Sequence, residues 1–119
     1  MNISKFTQKS MEAVQNCERL AYEYGNQQIE QEHLFYSLLS LEDSLILKLL
    51  TKMEVGKELI LNEAEKKLSE LPKVSGSGQV YISGDLNKVL IHAEDESRAM
   101  GDEYVSVEHI FLSMLKHGD

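Results

Sequence analysis

Cysteine occurs once in this chain of 119 residues, as Cys17, and proline once, as Pro72. One thiol supplies no disulfide framework, so a stapled secreted scaffold is excluded. Basic residues are scarce: 12 Lys and Arg stand against 20 Asp and Glu, a net charge of −8. That balance argues against a nucleic-acid partner, which needs clustered cations for phosphate. It suits partners with basic or unfolded segments, though taken alone it reads as solubility. No apolar run approaches the ~20 residues of a membrane span, so no membrane partner is expected. Residues 1–9 lack the apolar centre of a signal peptide, and a cytoplasmic location is expected. Gly76-Ser77-Gly78 lacks the Lys and Ser/Thr of a phosphate-binding loop, and no His-Glu-x-x-His helix occurs. No catalytic residue, bound cofactor or metal is therefore expected, and the chain reads as a binding module rather than an enzyme.

What is present is a repeat. Gly25-Asn26-Gln27-Gln28-Ile29-Glu30-Gln31-Glu32-His33-Leu34-Phe35 returns, 76 residues later and without a gap, as Gly101-Asp102-Glu103-Tyr104-Val105-Ser106-Val107-Glu108-His109-Ile110-Phe111. At the same offset Phe6 meets Ile82, Thr7 meets Ser83, Val14 meets Leu90 and Cys17 meets Ala93. Val14, Cys17, Ala21 and Tyr24 step by three or four, as do Leu86, Leu90, Ala93, Ser97 and Met100, which is a helical stripe. Each copy predicts a helix, a left-handed glycine stop at Gly25 or Gly101, a short extended piece and a second helix. The expected fold is all-α, two pseudo-twofold helical repeats packed as a compact bundle.

The spacing predicts helices over 7–24, 31–40, 45–53, 56–71, 83–100 and 107–116. The third, dense in Leu and Ile, is expected to be fully buried. In the fourth, Leu59, Ile60, Ala64 and Leu68 form the inward stripe. Leu71-Pro72 ends that helix, since proline disfavours helix in the residue before it. Ser75-Gly76-Ser77-Gly78 has linker composition. The chain thus reads as one domain, 1–119: repeat one 1–71, linker 72–82 and a partial repeat two 83–119. Nothing after His117 matches the third and fourth helices, so the second repeat is either asymmetric or truncated.

The polar residues shared by both copies are the candidates for function. Thr7 and Ser83 stand where a helix N-cap is wanted, and each leaves backbone N–H groups able to hold an anion. Glu32 and Glu108 fall in a first helical turn, favoured there by the macrodipole and able to accept a guanidinium or amide. Together the hydroxyls and carboxylates predict two related small polar sites. His33, His109, Glu32 and Glu108 could in principle ligate a metal. Neighbours on a helix point about 100° apart, however, and a histidine capping or packed at the helix start is the better reading. Cys17 lies on the apolar stripe and reads as a small buried hydrophobe rather than a hydrolase nucleophile.

Lys5-Phe6-Thr7, the two Gly-x-x-x-[Ile/Val]-x-x-Glu-His-[Leu/Ile] segments and Leu71-Pro72-Lys73-Val74-Ser75-Gly76 together resemble the N-terminal domain of the Clp/Hsp100 AAA+ unfoldases. The likeness covers essentially the whole chain and is most similar to the ClpB disaggregases, with the ClpC unfoldases as runner-up. It implies a domain that recruits misfolded or aggregated proteins and adaptor proteins to a hexameric AAA+ ring absent here, where ATP and Mg²⁺ would be used. The ClpC alternative implies delivery of adaptor-bound or arginine-phosphorylated proteins to a Clp peptidase. The resemblance carries client-contact roles to Thr7, Asp102 and Glu108, and phosphoarginine sites to Thr7 with Glu32 and to Ser83 with Glu108. Asp85 departs from the family by setting a negative charge beside the second anion site. The family domain also continues for about two helices past His117, and their absence is expected to leave apolar surface exposed on the last two helices.

Overall fold

The computed structural model describes residues 3–74 and 78–118. Its principal elements are α1 (Gln8–Glu23), β1 (Gln28–Ile29), α2 (Gln31–Ser40), α3 (Leu45–Lys52), α4 (Lys57–Glu70), β2 (Tyr81–Ile82), α5 (Gly84–Ala99) and α6 (Val107–His117). The helical repeats are where the sequence pattern puts them, with ends within about two residues. Thr7 and Ser83 cap α1 and α5: the Thr7 hydroxyl accepts the Ser10 N–H at 3.2 Å and the Ser83 hydroxyl accepts the Leu86 N–H at 3.1 Å. Gly25 and Gly101 close these helices at φ 71° and 74°. Residues with a Cβ resist that left-handed region at a cost of roughly 1–2 kcal/mol.

Two copies of one helical pair then interlock. The Ser37 hydroxyl donates to the Ala13 carbonyl at 2.7 Å, and at the repeat offset Ser113 donates to Val89 at 2.6 Å. Both serines are buried. Small side chains there let α1 approach α2, and α5 approach α6, while the hydroxyl finds its acceptor inside the core. Leu34, Leu38, Leu86, Val89, Leu90 and Ile110, each no more than 1% exposed, fill the shared interior.

The extended pieces are exchanged between the copies. β1 pairs in parallel with β2, Gln28 opposite Tyr81 and Ile29 opposite Ile82. The equivalent bridge at the other end joins Phe6 to Val105, also in parallel. Tyr81–Ile82, which the sequence places in the linker, thus belong to the fold of the second copy. The exchange sets the start of α1 beside the start of α6, through Thr7 N–H to Val105 O at 2.9 Å. It sets the start of α5 beside the start of α2, through Ser83 N–H to Ile29 O at 3.0 Å.

Two packing expectations fail. In α3 only Ile46 is buried, while Leu45 and Leu49 are each 47% exposed and Met53 67%. Eight residues lying across the bundle touch it along one stripe only. In α4 the inward residues are Ile60, Ala64 and Leu68, and Leu59 faces solvent at 59%. Cys17 is buried on α1, and desolvation pushes its thiol up to about 12. It therefore stays protonated near neutrality, which removes the nucleophile that a thiol hydrolase needs. The linker residues Ser75, Gly76 and Ser77 lie outside the described segments. Before them, Pro72–Val74 runs across the end of α1: Val74 N–H donates to Gly25 O at 2.8 Å and Asn26 Nδ2 donates to Pro72 O at 2.9 Å.

Candidate functional site

The two Glu-His dipeptides are divided in role. The histidines hold the frame and the glutamates face outward. His33 is wholly buried and His109 is 4% exposed. Each is the third residue of its helix and closes a capping box: Nδ1 accepts the Glu30 N–H at 2.8 Å in one copy and the Ser106 N–H at 2.9 Å in the other. The remaining ring nitrogen, Nε2, meets Asn26 Oδ1 at 2.9 Å and Asp102 Oδ2 at 2.8 Å. With Nδ1 accepting a backbone proton, Nε2 carries the hydrogen and donates it. Both ring nitrogens are thus occupied: the lone pair on Nδ1 is taken by a backbone N–H and Nε2 carries its hydrogen, which leaves no lone pair for a metal ion. Among the described residues no group of three or more His, Cys, Asp or Glu could hold one.

Burial pushes the His33 imidazole below its ordinary value of 6.5. The unfolded chain therefore takes up a proton near pH 6.5 that the folded chain refuses. This residue's contribution to stability is complete above pH 6.5 and shrinks as pH falls from there towards the native value. The guanidinium midpoint of unfolding should be lower at pH 5.5 than at pH 7.5. A His33→Gln variant, less stable at both, should show a smaller drop. An equal drop in the two proteins would remove His33 as its source.

On this frame sits a cavity of about 280 Å³ between the starts of α1, α3 and α6. Thr7, Ser44 and Ser106, the N-caps of those helices, line it, as do Leu41, Leu45 and Val107. Its charged residues are Lys9, Glu42, Asp43 and Glu108. Lys9 Nζ is held at 3.1 Å by the Glu42 carbonyl. Three carboxylates against one ammonium make the rim electronegative, while the floor is a cluster of helix N-termini that favours negative charge. An apolar wall, a hydroxyl and a carboxylate at one cleft suit a peptide side chain with a donor at its tip.

The exchange of strands settles which candidates meet. Thr7 shares its cavity with Glu108 of the other copy, not with Glu32. Ser83, hydrogen-bonded to Ile29, stands beside the start of α2 on which Glu32 lies. The family resemblance pairs Thr7 with Glu32, whereas the cavity joins Thr7 to Glu108. Asp102, 49% exposed at its side chain, does not line the cavity and stands at the far side of the His109 ring. Glu32 lines a separate, apolar cleft of about 440 Å³ with Phe35, Phe111, Met114 and Leu115. Phe35 and Phe111 occupy the same place in each copy and stack at 6.5 Å, so this cleft lies on the pseudo-twofold axis. Sequence reasoning had no signal for Ser44 and Leu45. They reach the Thr7 cavity only because α3 folds back across it.

Comparison with known proteins agrees with this architecture. The family described as "Clp repeat (R) N-terminal domain" matches residues 5–119. The chaperone protein ClpB of Nitratidesulfovibrio vulgaris is 40% identical over 120 residues, covering 98% of this chain and 14% of its own length. ClpB of Porphyromonas gingivalis is 42% identical over 115 residues, with 97% and 13% covered. The chain thus spans about a seventh of the curated relatives it matches. Among solved structures, the Hsp104 N-terminal domain from Candida albicans superposes with a TM-score of 0.84 at 22% identity, covering 95% of this chain and 75% of that one. The N-domain of ClpV from Vibrio cholerae gives 0.81 at 19%, with 96% and 68% covered. At these identities the structures show the shared fold alone. One further ClpV N-domain, at TM-score 0.77, 19% identity and 98% and 71% coverage, is in complex with a VipB peptide.

Proposed function

The chain belongs to the Clp repeat (R) N-terminal domain family, and from that membership we propose that it recruits protein clients and adaptors for an ATP-dependent Clp/Hsp100 chaperone of the ClpB kind. The observation that carries this reading is the cleft in which Thr7, Glu108 and the apolar Leu41, Leu45 and Val107 converge on a buried, fully hydrogen-bonded support. Such a cleft does no bond chemistry. It holds an exposed apolar or basic segment of a misfolded protein, weakly and reversibly, until a neighbouring ring takes it. Hydrophobic contact supplies much of the affinity, Thr7 and Glu108 orient the segment within the cleft, and Asp102, outside it, meets the client beyond the His109 ring. Several tethered copies on a hexamer raise the effective concentration, so weak single sites suffice. Hydrolysis of ATP belongs to the ring. The ClpV N-domain that holds a VipB peptide supports the same use of the fold.

A second reading is favoured by one observation. Three helix N-termini and Lys9 surround the Thr7 cavity, with Glu108 at its edge. A side chain bearing both a guanidinium and a phosphoryl group would satisfy both signs at once, as a ClpC-like delivery domain for a Clp peptidase would require. Fluorescence anisotropy separates the readings. A labelled, permanently unfolded protein should bind, its native form should not, and free phosphoarginine should leave the complex intact. Competition by phosphoarginine would move the domain to the ClpC reading. Equal affinity for native and unfolded protein would end the client-capture proposal and leave adaptor docking.

A further inference from the structure

The helix α3 stands between two cavities. On one side is the cleft of about 280 Å³ that holds Thr7 and Glu108, walled by Ser44 and Leu45. On the other is a second cavity of about 530 Å³, whose walls include Tyr36, Leu39, Leu47 and Leu61. Leu41, Asp43 and Ser44 line both, so the entry to α3 is the partition between them. A cleft the size of the first takes a side chain or two, not the length of an extended segment.

The partition is lightly held. Ile46 is the one buried residue of α3, with Leu47 and Leu50 half-buried beside it. The Ser44 hydroxyl donates to Leu38 O at 2.6 Å. At each end of the helix the backbone is strained. Asp43 and Glu54, at φ 54° and 66°, are the non-glycine residues with positive φ among those described. Glutamate resists that region more than aspartate, whose short polar side chain tolerates it. Outside these two points the chain is fixed. Before the first, Glu42 O is held by Lys9 Nζ at 3.1 Å, and after the second, α4 begins at Lys57 and buries Ile60. A weakly packed element with strained residues at both ends and fixed chain beyond them has the form of a hinged one.

We infer that α3 is a hinged wall, which turns about Asp43 and Glu54 and joins the two cavities into one apolar groove for an extended client segment. Opening withdraws Ile46 and breaks the Ser44–Leu38 hydrogen bond. It also relaxes the two left-handed residues, so the closed form carries a strain that the open form releases. The groove adds Tyr36, Leu39 and Leu61 to the apolar wall at Leu41 and Val107. The inference rests on the client-recruiting reading for what fills the groove. Apparent client affinity then scales with the fraction of open molecules.

The test compares Ile46→Val with the wild-type chain in amide hydrogen exchange and in binding of a labelled, permanently unfolded protein. In the wild type the α3 amides should exchange faster than those of α1 and α5. Ile46→Val, a mild change at the buried anchor, should speed exchange in α3 by about three- to tenfold. It should tighten client binding by the same factor, although the protein is less stable. Glu54→Gly, which removes the left-handed penalty from the closed form, should slow α3 exchange and weaken binding by about two- to fivefold. Bound client should shift the amides of Leu39 and Leu61 in the second cavity. Faster α3 exchange without tighter binding in Ile46→Val would overturn the inference, as would α3 amides protected as well as those of α1 and α5. Either result, with client still captured by the wild type, would leave the recruiting role standing. No capture by the wild type would overturn both.

Discussion

His33→Ala should lower the free energy of unfolding by about 3 kcal/mol and the melting temperature by on the order of 10 °C. The ring is wholly buried and bonded at both nitrogens. Its removal strands the Glu30 N–H and the Asn26 amide oxygen. An orphaned buried partner costs roughly 1–3 kcal/mol, and loss of a helix cap adds roughly 0.5–2. The cavity left behind adds to both, and partial entry of water offsets part of the sum. Asn26 also donates to Pro72, so the damage should spread to the segment after α4. Denaturant unfolding of the purified variant measures this directly. A loss below about 1 kcal/mol would mean that the capping box is ornamental and that the glutamates have no rigid support.

Glu108→Ala should have the opposite profile. Glu108 is exposed in the first turn of α6, where the macrodipole interaction amounts to only about 0.3–1 kcal/mol. Stability should change by that much or less. Affinity for an unfolded client should fall by about five- to tenfold, the loss of one charge-assisted hydrogen bond that is partly solvated. Thr7→Val, which also removes a cap, should lose both affinity and about 1 kcal/mol of stability. Near-unchanged affinity in Glu108→Ala would move the binding surface away from the start of α6.

The helices and their glycine stops were legible because the apolar stripe and the left-handed cap are local rules, written twice. The repeat also pointed to the structural use of His33 and His109. It held, unread, their partners Asn26 and Asp102, which sit at the same offset and both present a side-chain oxygen. The strand exchange was not legible. Two residues of β1 or β2 carry no periodicity, and parallel pairing across 53 residues is decided by how the helical pairs pack. From that follow the joining of Thr7 with Glu108 and the part α3 takes in the cavity. The expectation of a buried α3 failed for a related reason. Composition alone does not say how many faces of an eight-residue helix the bundle can reach.

The most direct test of client capture at the Thr7 cleft is a two-dimensional amide NMR titration of the labelled domain with a permanently unfolded protein. The account predicts shifts at Thr7, Leu45, Val107 and Glu108, with Asp102 responding beside them, and little change around Phe35 and Phe111. Shifts confined to the Phe35–Phe111 cleft, or no shifts at saturating client, would contradict it.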